Sequence, residues 1–205
     1  MNWAKLLPMA FVMIAGPQIL SAVFLATSEN WRRNSAAYVT GAALSITAIV
    51  TIAFFVSSGA SDEGASDDAL YIVVLVLLAA AALHTFLARK TAEPPKWMGK
   101  LQTASPRSAF TLGFLLLGVF PTDILTSFAV GAWLSTEGDP WWHLLPFLLL
   151  TLSFLALPAL LLLALGERGK AFLPKARDWM NTNSWVVNEI VIAFFIVIVA
   201  KSLAG

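Results

Sequence analysis

Six apolar runs of about 20 residues each dominate the sequence and constrain its fold more than any other feature. A bilayer core about 30 Å thick is crossed by about 20 predominantly apolar residues in a helix. The chain is therefore predicted to be an all-α polytopic membrane protein with six transmembrane helices. The runs cover Ala4 to Thr27, Ala36 to Ser57, Ala69 to Ala88, Ala109 to Leu134, Trp141 to Leu165 and Trp185 to Leu203.

The composition agrees with this class and excludes others. Hydrophobic residues make up 59% of the chain and charged residues 12%, about half the charged fraction of a soluble domain. A net charge of +1 is too small to suggest a nucleic-acid partner, so none is expected. The chain has no cysteine, and its two histidines, His84 and His143, lie in separate runs, so neither a metal site nor a cofactor is expected.

The first run has an alternative interpretation as a cleaved signal peptide, because it lies near the start of the sequence. However, Gly16, Pro17 and Gln18 interrupt the run, and Arg32 and Arg33 follow it, which reverses the charge order of a signal peptide. We therefore interpret it as a membrane span.

The loops between the runs alternate in charge. Most of the 13 cations lie in the first, third and fifth loops, whereas the second and fourth loops carry acids and no cation. The positive-inside rule places the cation-rich loops in the cytoplasm and both termini outside, as in a multi-pass protein of the plasma membrane. Trp97 and Trp179 lie among the bases of the third and fifth loops, which is typical of segments in the headgroup layer.

The two halves of the chain resemble each other. Three runs in residues 1–88 precede a basic cytoplasmic linker at 89–107, and three more follow in residues 108–205. An odd number of spans per repeat inverts the second copy, so the sequence predicts a 3+3 inverted repeat. Pro17-Gln18 in the first run matches Pro121-Thr122-Asp123 in the fourth, with one residue gapped.

Both prolines fall near the middle of their spans, where a proline interrupts the helical hydrogen bonds. An ordinary kink is one interpretation, since proline is frequent in membrane helices. Matched positions followed by polar residues favour the other interpretation, a pair of broken helices that forms a binding site. In the same fourth run, Gly113, Gly118 and Gly131 permit close contact between helices.

Asp123 is the most informative single residue, because an acid deep in a span costs about 2.5 to 3.5 kcal/mol on insertion scales. It could be protonated in a dry site, bind a cation in a wet one, or serve structure alone through a hydrogen bond. Glu189, near the start of the sixth run, either reaches the headgroups or points inward. The candidate residues for binding substrate or a coupling ion are Pro17, Gln18, Pro121, Thr122, Asp123, Thr126, Asn188 and Glu189.

Several short motifs carry a family resemblance. They are Gly16-Pro17, the Pro95-Lys96-Trp97 segment before the fourth run, Gly118 to Asp123, Gly166-Glu167-Arg168, and Arg177-Asp178-Trp179-Met180. With six spans as three plus three, the chain resembles the GAP family, named for peptidoglycolipid-addressing proteins, of the lysine exporter (LysE) superfamily. Relatives more often have Asn-Pro-Lys where this chain has Phe120 to Asp123, which leaves the charge of the substrate open.

The resemblance implies a small secondary transporter, an exporter of an amino acid-like, lipid or other small solute. Alternating access would use a midplane site at the proline-broken first and fourth helices. The alternative is a non-transporting membrane factor for the assembly or localisation of envelope lipids. An enzyme is not expected, because the spans lack Gly-x-Ser-x-Gly, His-Glu-x-x-His and paired aspartates. The expected partners are membrane lipids and a small-molecule or ion substrate, and a homo-oligomer is left open.

Overall fold

The computed structural model describes residues 6–14, 17–58 and 96–183, and every regular element within these residues is a helix. The prediction of an all-α fold is therefore confirmed for this part of the chain. The α-helices are α1 (Leu6–Ile14), α2 (Pro17–Ala26), α3 (Trp31–Ser58), α4 (Pro106–Val119), α5 (Pro121–Thr136), α6 (Leu145–Leu165) and α7 (Glu167–Thr182), with 3-10 helices at Lys96–Thr103 and Trp141–Leu144.

Two of the helices are long and apolar enough to cross a membrane: α3, and Trp141–Leu165, which joins the second 3-10 helix to α6. A third candidate is the pair formed by α4 and α5, whose axes meet at 67°. The predicted runs at 69–88 and 185–203 lie outside the described residues. Six spans, the inverted repeat and the outside termini therefore stay predictions.

Helix α3 forms the support on which α4 and α5 rest, because glycines bring their backbones into direct contact. A Cβ added at Gly113 of α4 would overlap the carbonyl oxygen of Tyr38, and one added at Gly131 of α5 would overlap that of Val50. No larger residue fits there without moving a backbone. Gly41 of α3 has the same kind of contact with the carbonyl oxygen of Phe110, whereas Gly118 of α4 lies against the side chain of Ser45.

The remaining helices complete one apolar core around this support. Helices α1 and α2 pack against α6, and α1 also contacts α5. Five helices each contribute a fully buried side chain to this core: Met13 of α1, Leu25 of α2, Ile46 of α3, Leu117 of α4 and Phe147 of α6. Residues from helices far apart in the sequence therefore shield one another from solvent. A polar site between these helices is shielded from solvent in the same way.

A buried asparagine ties the turn between α2 and α3 to the start of α4. The side-chain amide of Asn34 donates hydrogen bonds of 2.9 Å to the hydroxyl of Ser28 and to the carbonyl oxygen of Ala104. Ala104 immediately precedes Ser105, which caps α4 by accepting a hydrogen bond from the backbone N–H of Ser108. The packing of the first described helices against α4 is thus fixed by polar contacts as well as apolar ones.

Helix α7 corrects the interpretation of residues 166–184 as a loop. Gly166 has a φ of 51°, a left-handed conformation that favours glycine, and it ends α6 and begins α7. Pro174 lies inside α7, yet the helix continues to Thr182. Leu173 is buried against Val23, Ala26 and Leu162, so α7 lies across the ends of α2 and α6.

Candidate functional site

The break between α4 and α5 places an acid at a helix start inside the bundle. Phe120 has extended backbone angles, with φ −67° and ψ 126°, and Pro121 is the first residue of α5. The backbone N–H groups of Asp123 and Ile124 both donate to the carbonyl oxygen of Phe120 at 3.0 Å. Asp123 thus lies in the first turn of α5, where the helix dipole favours a negative charge.

The corresponding position in the first run is the start of α2. Pro17 is the first residue of this helix, and its carbonyl oxygen accepts a hydrogen bond of 2.6 Å from the hydroxyl of Ser21. Gln18 follows, and its side chain is 1% exposed. Residues 15 and 16 lie outside the described residues, so the predicted break of the first span stays a prediction.

Gln18 and Asp123 meet although 105 residues separate them in the sequence. The side-chain amide of Gln18 donates a hydrogen bond of 2.5 Å to Oδ2 of Asp123, and Asp123 is fully buried. The other side-chain oxygens, Oε1 of Gln18 and Oδ1 of Asp123, have no hydrogen-bond partner among the described residues. Buried oxygens without a partner are costly, and they are the atoms that would accept a proton, a cation or a ligand donor.

Two further buried side chains lie near the pair, and sequence reasoning did not select either. The hydroxyl of Tyr38 on α3 donates a hydrogen bond of 2.9 Å to the backbone carbonyl of Gln18. The hydroxyl of Ser127, one turn beyond Asp123, donates to the sulfur of Met13 at 3.9 Å. Four helices, α1, α2, α3 and α5, therefore meet at this point, which we call the Gln18–Asp123 site.

The other predicted site residues have different places. Thr122 is exposed, and its carbonyl oxygen accepts a 2.7 Å hydrogen bond from the hydroxyl of Thr126. Neither threonine has a described hydrogen bond to Gln18 or Asp123. Asn188 and Glu189 lie outside the described residues. The structure thus brings together two of the eight candidates, while Pro17 and Pro121 begin the helices that carry them.

The described part of the chain offers no group of three His, Cys, Asp or Glu side chains that could hold a metal ion. The chemistry available at the site is therefore that of one carboxyl, one amide and the nearby hydroxyls. Such a set can hold a proton, a monovalent cation or a polar headgroup by hydrogen bonds and charge.

Of the comparisons with curated proteins, solved structures and family models, only the one with family models gives a match. No curated protein and no solved structure matches the chain. A family model described as Sap, sulfolipid-1-addressing protein (SfLAP), matches residues 6–204, nearly the whole sequence. This match supports the resemblance to the GAP-like addressing proteins. The chain, whose described residues include two to three candidate membrane spans, belongs to the sulfolipid-1-addressing protein family.

Proposed function

We propose that this chain is a secondary transporter of the plasma membrane that exports an amphipathic lipid by alternating access. The Gln18–Asp123 site is its binding or coupling site. The LysE superfamily, to which the sequence motifs point, is part of this proposal. The observation that carries the proposal is the buried pair itself, formed where two proline-initiated helices begin.

The energetic argument starts from the buried carboxyl. An acid within a span is costly, and intramembrane acids most often serve a transport pathway, a proton relay or a ligand. Here one oxygen of Asp123 and one of Gln18 remain without a hydrogen-bond partner among the described residues. A proton or cation that binds to them in one state and leaves in another would couple an ion gradient to transport.

The lipid class is supported by the surface beside the site and by the family description. Ile124, Leu125 and Phe128 follow Asp123 on α5 and are exposed, Leu125 by 66%. An exposed apolar face within a candidate span faces acyl chains. A lipid could thus keep its tail in the bilayer while its headgroup approaches the buried pair. The family description names a sulfolipid, an amphiphile whose anionic headgroup could approach Asp123 only while the carboxyl is protonated or paired with a cation.

The second candidate function is a non-transporting factor that localises or assembles envelope lipids. The word "addressing" in the family description favours it as much as it favours transport. The two candidates differ in one measurable property: a transporter moves lipid or ions in response to a gradient, and a localisation factor does not. Neither candidate includes a catalytic step.

The test is a flux assay with the full chain in liposomes. The probe is a fluorescent sulfated glycolipid in the inner leaflet, and its arrival outside is measured as quenching by a membrane-impermeant reductant. A pH-sensitive dye inside the liposomes reports proton movement at the same time. We expect the wild type to move the probe faster when a pH or sodium gradient is imposed.

Asp123→Asn keeps the shape of the side chain and removes its charge, so we expect it to lose the response to the gradient. The matched control is Glu137→Gln, the same change at the exposed end of α5, which should transport like the wild type. Wild-type flux in Asp123→Asn would remove the role assigned to that residue. A wild-type protein that moves neither lipid nor protons would favour the localisation factor.

A further inference from the structure

Among the described residues, helix α7 packs against the bundle through the face that carries Gly169 and Leu173. Leu173 packs against the last turn of α2 and the end of α6, and Gly169 lies so close to α6 that an added Cβ would be 3.1 Å from the carbonyl oxygen of Leu161. Because these contacts involve the ends of both helices, α7 crosses the bundle end instead of extending α6. Most of the described side chains on its other faces are exposed.

One of these faces carries alternating bases and aromatic rings. This face carries, in order, Arg168, Phe172, Lys175 and Trp179. Successive spacings of four, three and four residues place the four side chains within about 60° of each other around the helix. Phe172 is 55% exposed and Trp179 is 54% exposed, and both bases are exposed as well. We call these four residues the basic-aromatic stripe.

The acids of α7 lie on a different face. Glu167 and Asp178 are eleven residues apart and therefore share a face, about 90° to 100° from the stripe. Glu167 also pairs with Lys170 at 2.6 Å, outside the stripe. The bundle contact through Gly169 and Leu173 lies about 90° to 130° from the middle of the stripe in the other direction. The stripe thus points sideways from the bundle, between the face that contacts protein and the face that carries acids.

The end of α6, which precedes α7 in the chain, has an apolar surface. Leu160, Leu163 and Leu165, in the last turns of α6, are all about half exposed and lie within a candidate span. Because α7 follows the end of this candidate span, we place it at the level of the lipid headgroups. Tryptophan and phenylalanine are favourable at that depth, and bases attract anionic headgroups.

We propose that the basic-aromatic stripe of α7 is a docking surface for anionic phospholipids in the leaflet that adjoins the ends of α2 and α6. Arg168 and Lys175 bind the phosphates, while Phe172 and Trp179 insert beside the first methylenes of the acyl chains. The stripe selects anionic over zwitterionic lipids, because only the former leave a net charge for the bases. The proposal does not depend on transport and stands for either function considered above.

The test is hydrogen exchange of the full chain in two kinds of nanodisc, one of phosphatidylcholine alone and one with a quarter of phosphatidylglycerol. Each base near an anionic surface contributes about a fivefold preference, so the two bases should slow exchange of α7 by about thirtyfold in the anionic nanodiscs. The slowing should decrease between low and high salt, because the attraction is screened.

The variant Arg168→Gln/Lys175→Gln should exchange at the same rate in both nanodiscs. The matched control is Lys170→Gln, which removes one base of the same helix outside the stripe and should retain the difference between the lipids. Exchange within α3 reports that each variant is folded. Equal exchange of wild-type α7 in the two nanodiscs would overturn the proposal, as would a loss of lipid dependence in Lys170→Gln equal to that of the double variant.

Discussion

Removal of Gln18 and Asp123 singly and together would measure what their hydrogen bond contributes to folding. Gln18→Met removes the donor with little change of volume, and it leaves both oxygens of the Asp123 carboxyl without a described partner, where the wild type leaves one. An additional buried and unsatisfied polar group costs about 1–3 kcal/mol, and more when it is charged. Asp123→Ala similarly leaves the buried amide of Gln18 without its acceptor.

The double variant removes both orphaned groups at once. Its loss of stability should therefore be smaller than the sum of the two single losses. A hydrogen bond to a charged group contributes about 1.5–3 kcal/mol, and we expect the coupling free energy to lie in that range. A matched control pairs Asp123→Ala with Ser153→Ala on the exposed surface of α6, for which the effects should add to within about 0.5 kcal/mol.

The free energy of unfolding can be measured by titrating the full chain in mixed micelles with a denaturing detergent. Tryptophan fluorescence is a convenient signal, because the chain has 8 tryptophans. A coupling free energy within about 0.5 kcal/mol of zero would show that the two side chains do not interact in the folded state. Such a result would refute the contact on which the Gln18–Asp123 site depends.

Two further substitutions test the packing around the site. Gly113→Ala should destabilise the protein, because the added methyl meets the backbone of Tyr38, and overpacking costs about 1–3 kcal/mol against about 1 kcal/mol gained in helix propensity. A more stable variant in the same detergent titration would contradict the contact between α3 and α4. Asn34→Ala should lose about 1–3 kcal/mol and speed hydrogen exchange near Ala104, since it removes both hydrogen bonds of the amide. Unchanged exchange there would show that these bonds do not hold the start of α4.

The sequence predicted those parts of the fold that depend on apolar length alone. The runs at 36–57 and 141–165 correspond to α3 and to Trp141–Leu165, because a long apolar segment has few alternatives to a helix. Helix α3 begins five residues before the predicted run, at Trp31, since charged residues end an apolar run without ending a helix. The break at Pro121 was also predicted, from the missing N–H of proline.

The site was predictable only in part. Gln18 and Asp123 were selected because each follows a proline within an apolar run, but a contact across 105 residues depends on how the helices pack. Tyr38 was missed because a tyrosine near the start of a span is typical of the membrane interface. The one sequence signal that Tyr38 is buried is the neighbouring Gly41, which allows α4 to approach and cover the tyrosine ring. Thr122 lies on the exposed side of α5. Its position next to Asp123 in the sequence does not show which side of the helix faces the core.

The glycine contacts of α3 also determine where the bundle can part. At these contacts a carbonyl oxygen of one helix lies against the α-carbon of a glycine on the facing helix. Sliding either helix would bring a larger residue to the position of the glycine, and its side chain would clash with the facing backbone. Helices α3, α4 and α5 therefore form one block. The seam left for movement runs between this block and α1, α2 and α6, and the hydrogen bond from Gln18 to Asp123 crosses that seam. The hydrogen bond from the Tyr38 hydroxyl to the carbonyl oxygen of Gln18 crosses the seam as well, so a motion that opens the seam at this level must break both bonds.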